Sequence, residues 1–165
     1  MNYIRLDPCD LKNGDGIRVT LWCVGCSHRC AECQNPETWD EKVWKPEEWK
    51  ETDGSFFRTL DKYLSDPDVQ GLTLTGGDPL YPPNRKDILN ILKHVHRKHP
   101  GKDIWMWTGY VYEEIKTECA EILHYVDVLV DGPYLAAVRA EDIENGEDPR
   151  WRGSSNQRIL YLKEM

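Results

Sequence analysis

The stretch IRVTLWCVGCSHRCAEC, residues 17–33, joins an apolar segment directly to four clustered cysteines. Residues 17–22 are rich in β-branched and large apolar side chains, which predicts a β-strand. The cysteines follow at positions 23, 26, 30 and 33. In α/β proteins the carboxyl ends of the strands carry the functional loops, so this junction predicts a functional site at a strand end.

Three further apolar segments are each followed at once by an unusual turn. GLTLT at 71–75 precedes Gly-Gly-Asp-Pro, IWMWT at 104–108 precedes Gly-Tyr, and VDVLV at 126–130 precedes Asp-Gly-Pro-Tyr. The segments between them have helical spacing. We expect helices at 55–64 with Ser55 as N-cap, after Asn84, at 111–124 and, briefly, at 46–50, an acidic loop at 140–150 and a closing strand at 159–162.

This alternation of strands and helices predicts the fold class. Near-continuous apolar strands between amphipathic helices indicate a mostly parallel sheet. Right-handed crossovers then place the carboxyl ends of the strands at one edge. Because about five strands are too few to close an eight-stranded barrel, we expect an α/β fold with an open partial (βα) barrel, formed by residues 1–165 as a single domain.

The composition is that of a globular protein, with 165 residues, 39% hydrophobic and 30% charged. No apolar run is long enough to span a membrane, and the N-terminal residues lack the pattern of a secretory signal. We therefore expect a cytoplasmic protein with reduced thiols and no membrane partner. The formal net charge of −8 argues against nucleic-acid binding, because few cations are in excess to neutralise phosphates.

Cys26, Cys30 and Cys33 have C-x3-C-x2-C spacing, which indicates a metal or redox centre in a reducing compartment. Three thiolates on one loop can hold three irons of a [4Fe–4S] cluster and leave the fourth iron open, whereas electron-transfer clusters use four protein ligands. A zinc site completed by His28 or Cys23 is the alternative, although the second pair of cysteines typical of zinc modules is missing. His28 is otherwise expected to hydrogen-bond a cluster sulfide or the backbone.

Gly76, Gly77 and Asp78 form a glycine turn directly after a predicted strand. The two glycines let the backbone approach a ligand closely. Thr108 and Asp131 also follow strand ends, where a ribose, a carboxylate or a cation is a candidate ligand. An ordinary strand end or turn explains both of these residues equally well.

The cysteine spacing and the GGDP turn together resemble the radical S-adenosylmethionine superfamily, in which Glu is commoner than Asp at position 78. Three further segments are similar to the activating proteins of anaerobic ribonucleoside-triphosphate reductases. They are QNPETW at 34–39, DGPY at 131–134 and WRGSSNQR at 151–158. The resemblance extends over nearly the whole chain.

This resemblance implies two cofactors, a [4Fe–4S] cluster and S-adenosylmethionine (SAM), with the amino group of SAM at the glycine turn. Adenine contact is expected through the backbone around Glu32 and Gln34. The implied reaction is reductive cleavage of SAM and hydrogen abstraction from a glycine in the C-terminal loop of the reductase. Because no nucleotide-cofactor motif is present, the electron is expected from an external donor such as flavodoxin.

Two other functions remain open on the sequence. One is another small radical-SAM enzyme, either a different glycyl-radical activase or an enzyme acting on a small heterocycle. The other is a zinc-bound interaction module. The donor-rich segment 150–158 is expected either to dock a partner or position a ligand, or to be a solvated loop. Trp39, Trp44 and Trp49 are candidates for an interaction surface.

Overall fold

A mixed β-sheet forms the centre of the molecule. The structure is a computed structural model that describes residues 1–39 and 50–164. Within these residues the strands are β1 (Asn2–Asp10), β2 (Ile17–Cys23), β3 (Lys50–Glu51), β4 (Val69–Gly76), β5 (Asp103–Trp107), β6 (Val128–Asp131) and β7 (Arg158–Tyr161). Their order across the sheet is β3-β1-β2-β4-β5-β6-β7.

The four central strands, β2, β4, β5 and β6, are parallel neighbours, and the outer strands pair antiparallel. Parallel pairing brings the carboxyl ends of the four strands to one edge of the sheet. The α/β class and the parallel centre of the sheet are therefore confirmed. β3 and β7 are the edge strands of the described sheet.

Five helices connect or flank the strands in the described part of the chain. They are α1 (Gly54–Leu64), α2 (Arg85–Lys98), α3 (Tyr112–Ile115), α4 (Ala120–Leu123) and α5 (Ala136–Glu144), with short 3₁₀ turns at Pro36–Thr38 and Pro82–Asn84. One face of α2 supplies Ile88, Ile91, Leu92 and Val95 to the core, and α1 supplies Phe56, Leu60 and Leu64. These side chains pack with the buried leucines and valines of β2 and β4. No helix in 1–39 or 50–164 has the length and apolar character that crossing a membrane requires.

The expected number of about five strands was wrong, because the described sheet has seven. β1 was not predicted from the sequence. It contains Pro8 and several polar side chains, and it is only partly buried, so no apolar run marks it as a strand. β3 is two residues long, and a strand of that length carries no sequence pattern. The possible helix at 46–50 lies outside the described residues except Lys50, which begins β3.

Three local predictions also differ from the structure. The predicted helix 111–124 is two short helices, α3 and α4. Helix α5 occupies part of the predicted acidic loop. Its one buried residue is Asp142, which accepts a hydrogen bond from the backbone N–H of Ser155. Helix α1 is capped by Asp53 rather than Ser55, since the Asp53 carboxylate accepts from the N–H groups of Ser55 and Phe56.

Candidate functional site

A cavity of about 580 Å³ opens at the carboxyl ends of the four parallel strands. The segments that follow β2, β4, β5 and β6 all contribute to its wall. Its lining includes Trp22, Cys26, His28, Cys30, Cys33, Gln34, Trp39, Gly76, Gly77, Asp78, Trp107, Thr108, Trp151, Arg152 and Gln157. The order of the strands therefore brings together residues that lie far apart in the sequence.

The loop after β2 is held at its start by backbone hydrogen bonds. The N–H of Gly25 donates to the carbonyl of Thr38, and the N–H of Cys26 donates to that of Trp39. Arg29 and Glu32 adopt left-handed backbone conformations, with φ of +48° and +54°. Each stands directly before a cysteine, and such a conformation costs roughly 1–2 kcal/mol in a non-glycine residue. The loop is thus tightly curled around Cys30 and Cys33.

The cavity is lined by only three of the chain's six cysteines, Cys26, Cys30 and Cys33, each of them half-buried. Cys23 and Cys119 are buried in the apolar core, and Cys9 is exposed on β1. The three residues of the C-x3-C-x2-C motif are therefore the thiols available to a ligand in this cavity. Cys23 lies in the core beside the loop, where burial raises the pKa of its thiol.

The donor set fits an iron–sulfur cluster better than a single metal ion. Within 1–39 and 50–164, no three Cys, His, Asp or Glu side chains converge closely enough to hold one ion. The three thiols lie in the wall of a cavity with room for a group larger than one ion, and thiolates are the ligands that iron–sulfur clusters take. Burial raises the pKa of the Cys26 thiol to about 11.

The glycine turn lies against the start of the cysteine loop. The N–H of Gly77 donates to the carbonyl of Cys23, and the N–H of Asp78 donates to that of Gly25, both over 2.8 Å. A Cβ on Gly77 would lie 2.6 Å from the Gly25 carbonyl oxygen. Gly76 has φ of +101°, and a Cβ there would lie 2.8 Å from the backbone nitrogen of Cys23. Only glycine fits both positions without moving the cysteine loop.

Asp78 is 2% exposed and lies at the centre of a polar network. Its carboxylate accepts from the hydroxyl of Thr108 at 3.0 Å and from the N–H groups of Gly109 and Leu80 at 3.0 and 2.8 Å. The fourth partner is His28, whose Nε2 lies 2.7 Å from Asp78 Oδ2. The structure thus brings together two predicted site residues, Asp78 and Thr108. It adds His28, whose expected partners were a cluster sulfide or the backbone rather than a carboxylate.

Two of the predicted site residues do not line the cavity. Glu32 is exposed, although Gln34 two residues later is in the wall. Asp131 is fully buried, and its carboxylate accepts from the N–H of Tyr112 at 2.7 Å and from the guanidinium of Arg158. The hydrogen bond to Asp131 raises the pKa of Arg158 above its ordinary value. The hydrogen bonds from Arg158 and Tyr112 together make Asp131 a structural link between β6, β7 and α3.

The donor-rich segment 150–158 is a folded wall of the cavity. The guanidinium of Arg152 donates to the carbonyls of Pro149, Ser155 and Gln157. The Gln157 amide oxygen accepts from Gly153 N–H, and its amide nitrogen donates to the carbonyl of Gly132. Most of the polar groups that suggested a docking loop therefore form hydrogen bonds within the chain.

Indole side chains cover much of the remaining wall. Trp22, Trp39, Trp107 and Trp151 line the cavity, and Trp107 Nε1 donates to the carbonyl of Trp151 at 2.7 Å. Trp105 is buried, but Trp107 faces the cavity. Trp44 and Trp49 lie outside the described residues.

Comparison with known proteins finds a matching family and full-length relatives. The family described as "4Fe-4S single cluster domain" matches residues 12–160. The anaerobic ribonucleoside-triphosphate reductase-activating protein of enterobacteria phage T4 is 44% identical over 164 residues, which is 96% of this chain and 93% of the relative. Proteins of the same name from Salmonella typhi and Escherichia coli K12 are 38% and 37% identical, over 99% of this chain and all of the relative.

The chain belongs to the family of anaerobic ribonucleoside-triphosphate reductase-activating proteins. Its match to the 4Fe–4S single cluster domain includes every cavity-lining residue, from Lys12 to Gln157. The full-length similarity to other activating proteins covers the cysteine loop, the glycine turn and the wall at 150–158 alike. The resemblance inferred from the motifs is therefore confirmed at the level of the family.

Proposed function

We propose that this protein activates an anaerobic ribonucleoside-triphosphate reductase by generating a glycyl radical in the C-terminal loop of that partner. The observation that carries the proposal is the meeting of three half-buried thiols and a glycine turn around one cavity. The names of the full-length relatives support the choice of partner. We further propose that the sheet has the open partial-barrel form of radical-SAM enzymes.

Cys26, Cys30 and Cys33 are proposed to hold the [4Fe–4S] cluster. Loaded with SAM and one electron from an external donor such as flavodoxin, this cofactor pair supplies methionine and a 5′-deoxyadenosyl radical that removes a hydrogen atom from the partner's glycine. Four indole side chains contribute apolar surface to the wall of this cavity. Exclusion of water by such surfaces when the cavity is filled would protect a reactive species from side reactions.

The glycine turn is proposed to receive the amino group of SAM. Gly76 and Gly77 line the cavity, and because they carry no Cβ the turn can lie directly against the cysteine loop. Asp78 contributes negative charge beside that position, which favours a bound ammonium group. Thr108 lines the same part of the cavity, whereas the adenine is proposed to lie along the backbone of residues 32–34.

The proposal is tested by reconstituting the full chain anaerobically with iron and sulfide and then adding SAM and a reductant. We expect about four irons per chain and release of methionine and 5′-deoxyadenosine. Cys30→Ala removes a cavity thiol and should abolish both the full iron content and SAM cleavage. Cys9→Ala, which removes an exposed thiol on β1, is the matched control and should retain both. Full cleavage activity in Cys30→Ala would refute the proposal.

A further inference from the structure

The cysteine loop carries one side chain that reaches across to the next two strands. His28 lies midway between Cys26 and Cys30, and its Nε2 is 2.7 Å from Oδ2 of Asp78. Because a carboxylate only accepts, the Nε2–H group donates to Asp78. Asp78 is 2% exposed, and this part-buried hydrogen bond connects the cysteine loop to the turn that follows β4.

The His28 ring is also fixed by packing. It lies edge-on to the ring of Tyr110, with centroids 4.4 Å apart and an interplanar angle of 72°. A Cβ on Gly109 would lie 2.6 Å from the Cδ2 atom of His28, so the ring rests directly on the backbone that follows β5. The imidazole therefore has one orientation, set by a ring on one side and a glycine on the other.

The same carboxylate connects the imidazole to the end of β5. Thr108 Oγ1 and the N–H of Gly109 both lie 3.0 Å from Asp78 Oδ2, and the N–H of Leu80 holds Oδ1 at 2.8 Å. The backbone N–H of Asp78 donates in turn to the carbonyl of Gly25, one residue before Cys26. Asp78 is thus bonded to the cysteine loop at two points, before its first cysteine and between its first and second.

We propose that His28 and Asp78 act as one latch that sets the position of the cysteine loop relative to the glycine turn, with His28 as a positioning residue. The effect of this latch on SAM cleavage rests on the proposed function, because the latch would align the cluster ligands with the place that receives SAM. The alignment matters because small displacements of bound reactants reduce reaction rates steeply. Asp78 then has a structural partner in addition to its role beside the ligand.

The latch is tested with His28→Leu, which removes the donor, and His28→Gln, which keeps an N–H near the same place. His94→Leu is the matched control, because His94 Nε2 also lies 2.7 Å from a carboxylate, that of Asp61, but on α2. The first measurement is amide hydrogen exchange of residues 26–34, on the full chain both before and after cluster reconstitution. The second is the KM for SAM and the kcat of its cleavage.

In His28→Leu we expect exchange of the loop amides to rise about ten-fold or more, the ratio expected for losing a hydrogen bond to a charged group. The KM for SAM should rise more than kcat falls. His28→Gln should stay close to the wild type in both measurements, and His94→Leu should leave loop exchange unchanged. Because the two residues act together, His28→Leu combined with Asp78→Asn should exchange no faster than Asp78→Asn alone.

Wild-type exchange in His28→Leu, or equal loosening in His28→Gln, would overturn the latch. If His28→Leu does not fold, His28→Gln still distinguishes the two explanations, because it keeps an N–H donor for the hydrogen bond but removes the packed ring. The exchange measurement on the cluster-free chain is independent of the proposed function. If the wild-type chain fails to cleave SAM, but loop exchange still differs between the wild type and His28→Leu as expected, the proposed function is refuted and the latch remains in place.

Discussion

Two glycines at the end of β4 make the site possible, because they allow the glycine turn to lie directly against the cysteine loop. The Gly25 carbonyl accepts from Asp78 N–H at 2.8 Å and would meet a Cβ on Gly77 at 2.6 Å. Contacts below 3.0 Å with backbone atoms cannot be relieved by a side-chain rotation. A methyl group at Gly77 must therefore push the turn and the loop apart.

Gly77→Ala is predicted to weaken the site far more than the fold. We expect iron retention after desalting to fall and the KM for SAM to rise by about ten-fold or more, as for a displacement of about 1 Å at an active site. The matched control is Gly101→Ala, because a Cβ at Gly101 meets nothing within 4 Å. Iron assay and SAM-cleavage kinetics measure the effect. Equal behaviour of the two variants would contradict the close-packing account.

At the residue scale, motifs were predictable and tertiary partners were not. The sequence placed Cys26, Cys30 and Cys33 together because their spacing within one loop restricts where they can lie. The His28–Asp78 pair joins residues 50 positions apart, and nothing in either local sequence indicates the other. Asp131 follows a strand end as a ligand would, yet its carboxylate is taken up by Arg158 and Tyr112.

Helices α1 and α2 are joined at the surface by one carboxylate. Asp61 on α1 accepts from His94 Nε2 at 2.7 Å and from His99 Nε2 at 3.0 Å, with Lys98 Nζ at 3.4 Å. Burial alone would raise the pKa of Asp61, but the hydrogen bonds from His94 and His99 lower it below its ordinary value. A lowered pKa in the folded state means that the ionised carboxylate stabilises the packing of α1 on α2.

Asp61→Asn is therefore predicted to change the acid dependence of stability. The stabilisation by Asp61 is complete above about pH 4, the pKa of an unfolded Asp, and is lost as the pH falls through the lower folded pKa. The variant should be less stable than the wild type at pH 5–6, and the difference should shrink below pH 4. Urea unfolding followed by circular dichroism over this range measures it. A constant difference between wild type and variant from pH 6 to pH 2 would contradict the assignment.

Elements with an apolar face were predicted well, and polar elements were not. Helix α2 and strands β2, β4 and β5 have buried apolar residues at regular spacing. The predicted start of α2 and the predicted bounds of the three strands therefore agree with the structure within two residues. Helix α5 buries one polar side chain, Asp142, and therefore has no apolar periodicity to detect. Strand β1 is held by pairing with β2 rather than by a buried face of its own.

On the scale of the whole molecule, the four parallel strands bring four loops to one edge and so form one cavity. The sequence predicted this edge from the alternation of strands and helices, because the direction of parallel crossovers is fixed. It did not predict that the segment 150–158 folds into a wall through its own hydrogen bonds. Those bonds depend on carbonyl groups of several turns, whose positions only the complete fold determines.

The proposed function requires that the residues around this cavity support formation of a radical on a partner glycine. Its most direct test is electron paramagnetic resonance of an anaerobic ribonucleoside-triphosphate reductase after incubation with the reconstituted chain, SAM and a reductant. We predict a glycyl-radical signal on the reductase that is absent when SAM is omitted or when Cys30→Ala replaces the wild type. A reductase that stays free of radical, while the same wild-type preparation cleaves SAM, would contradict the claim.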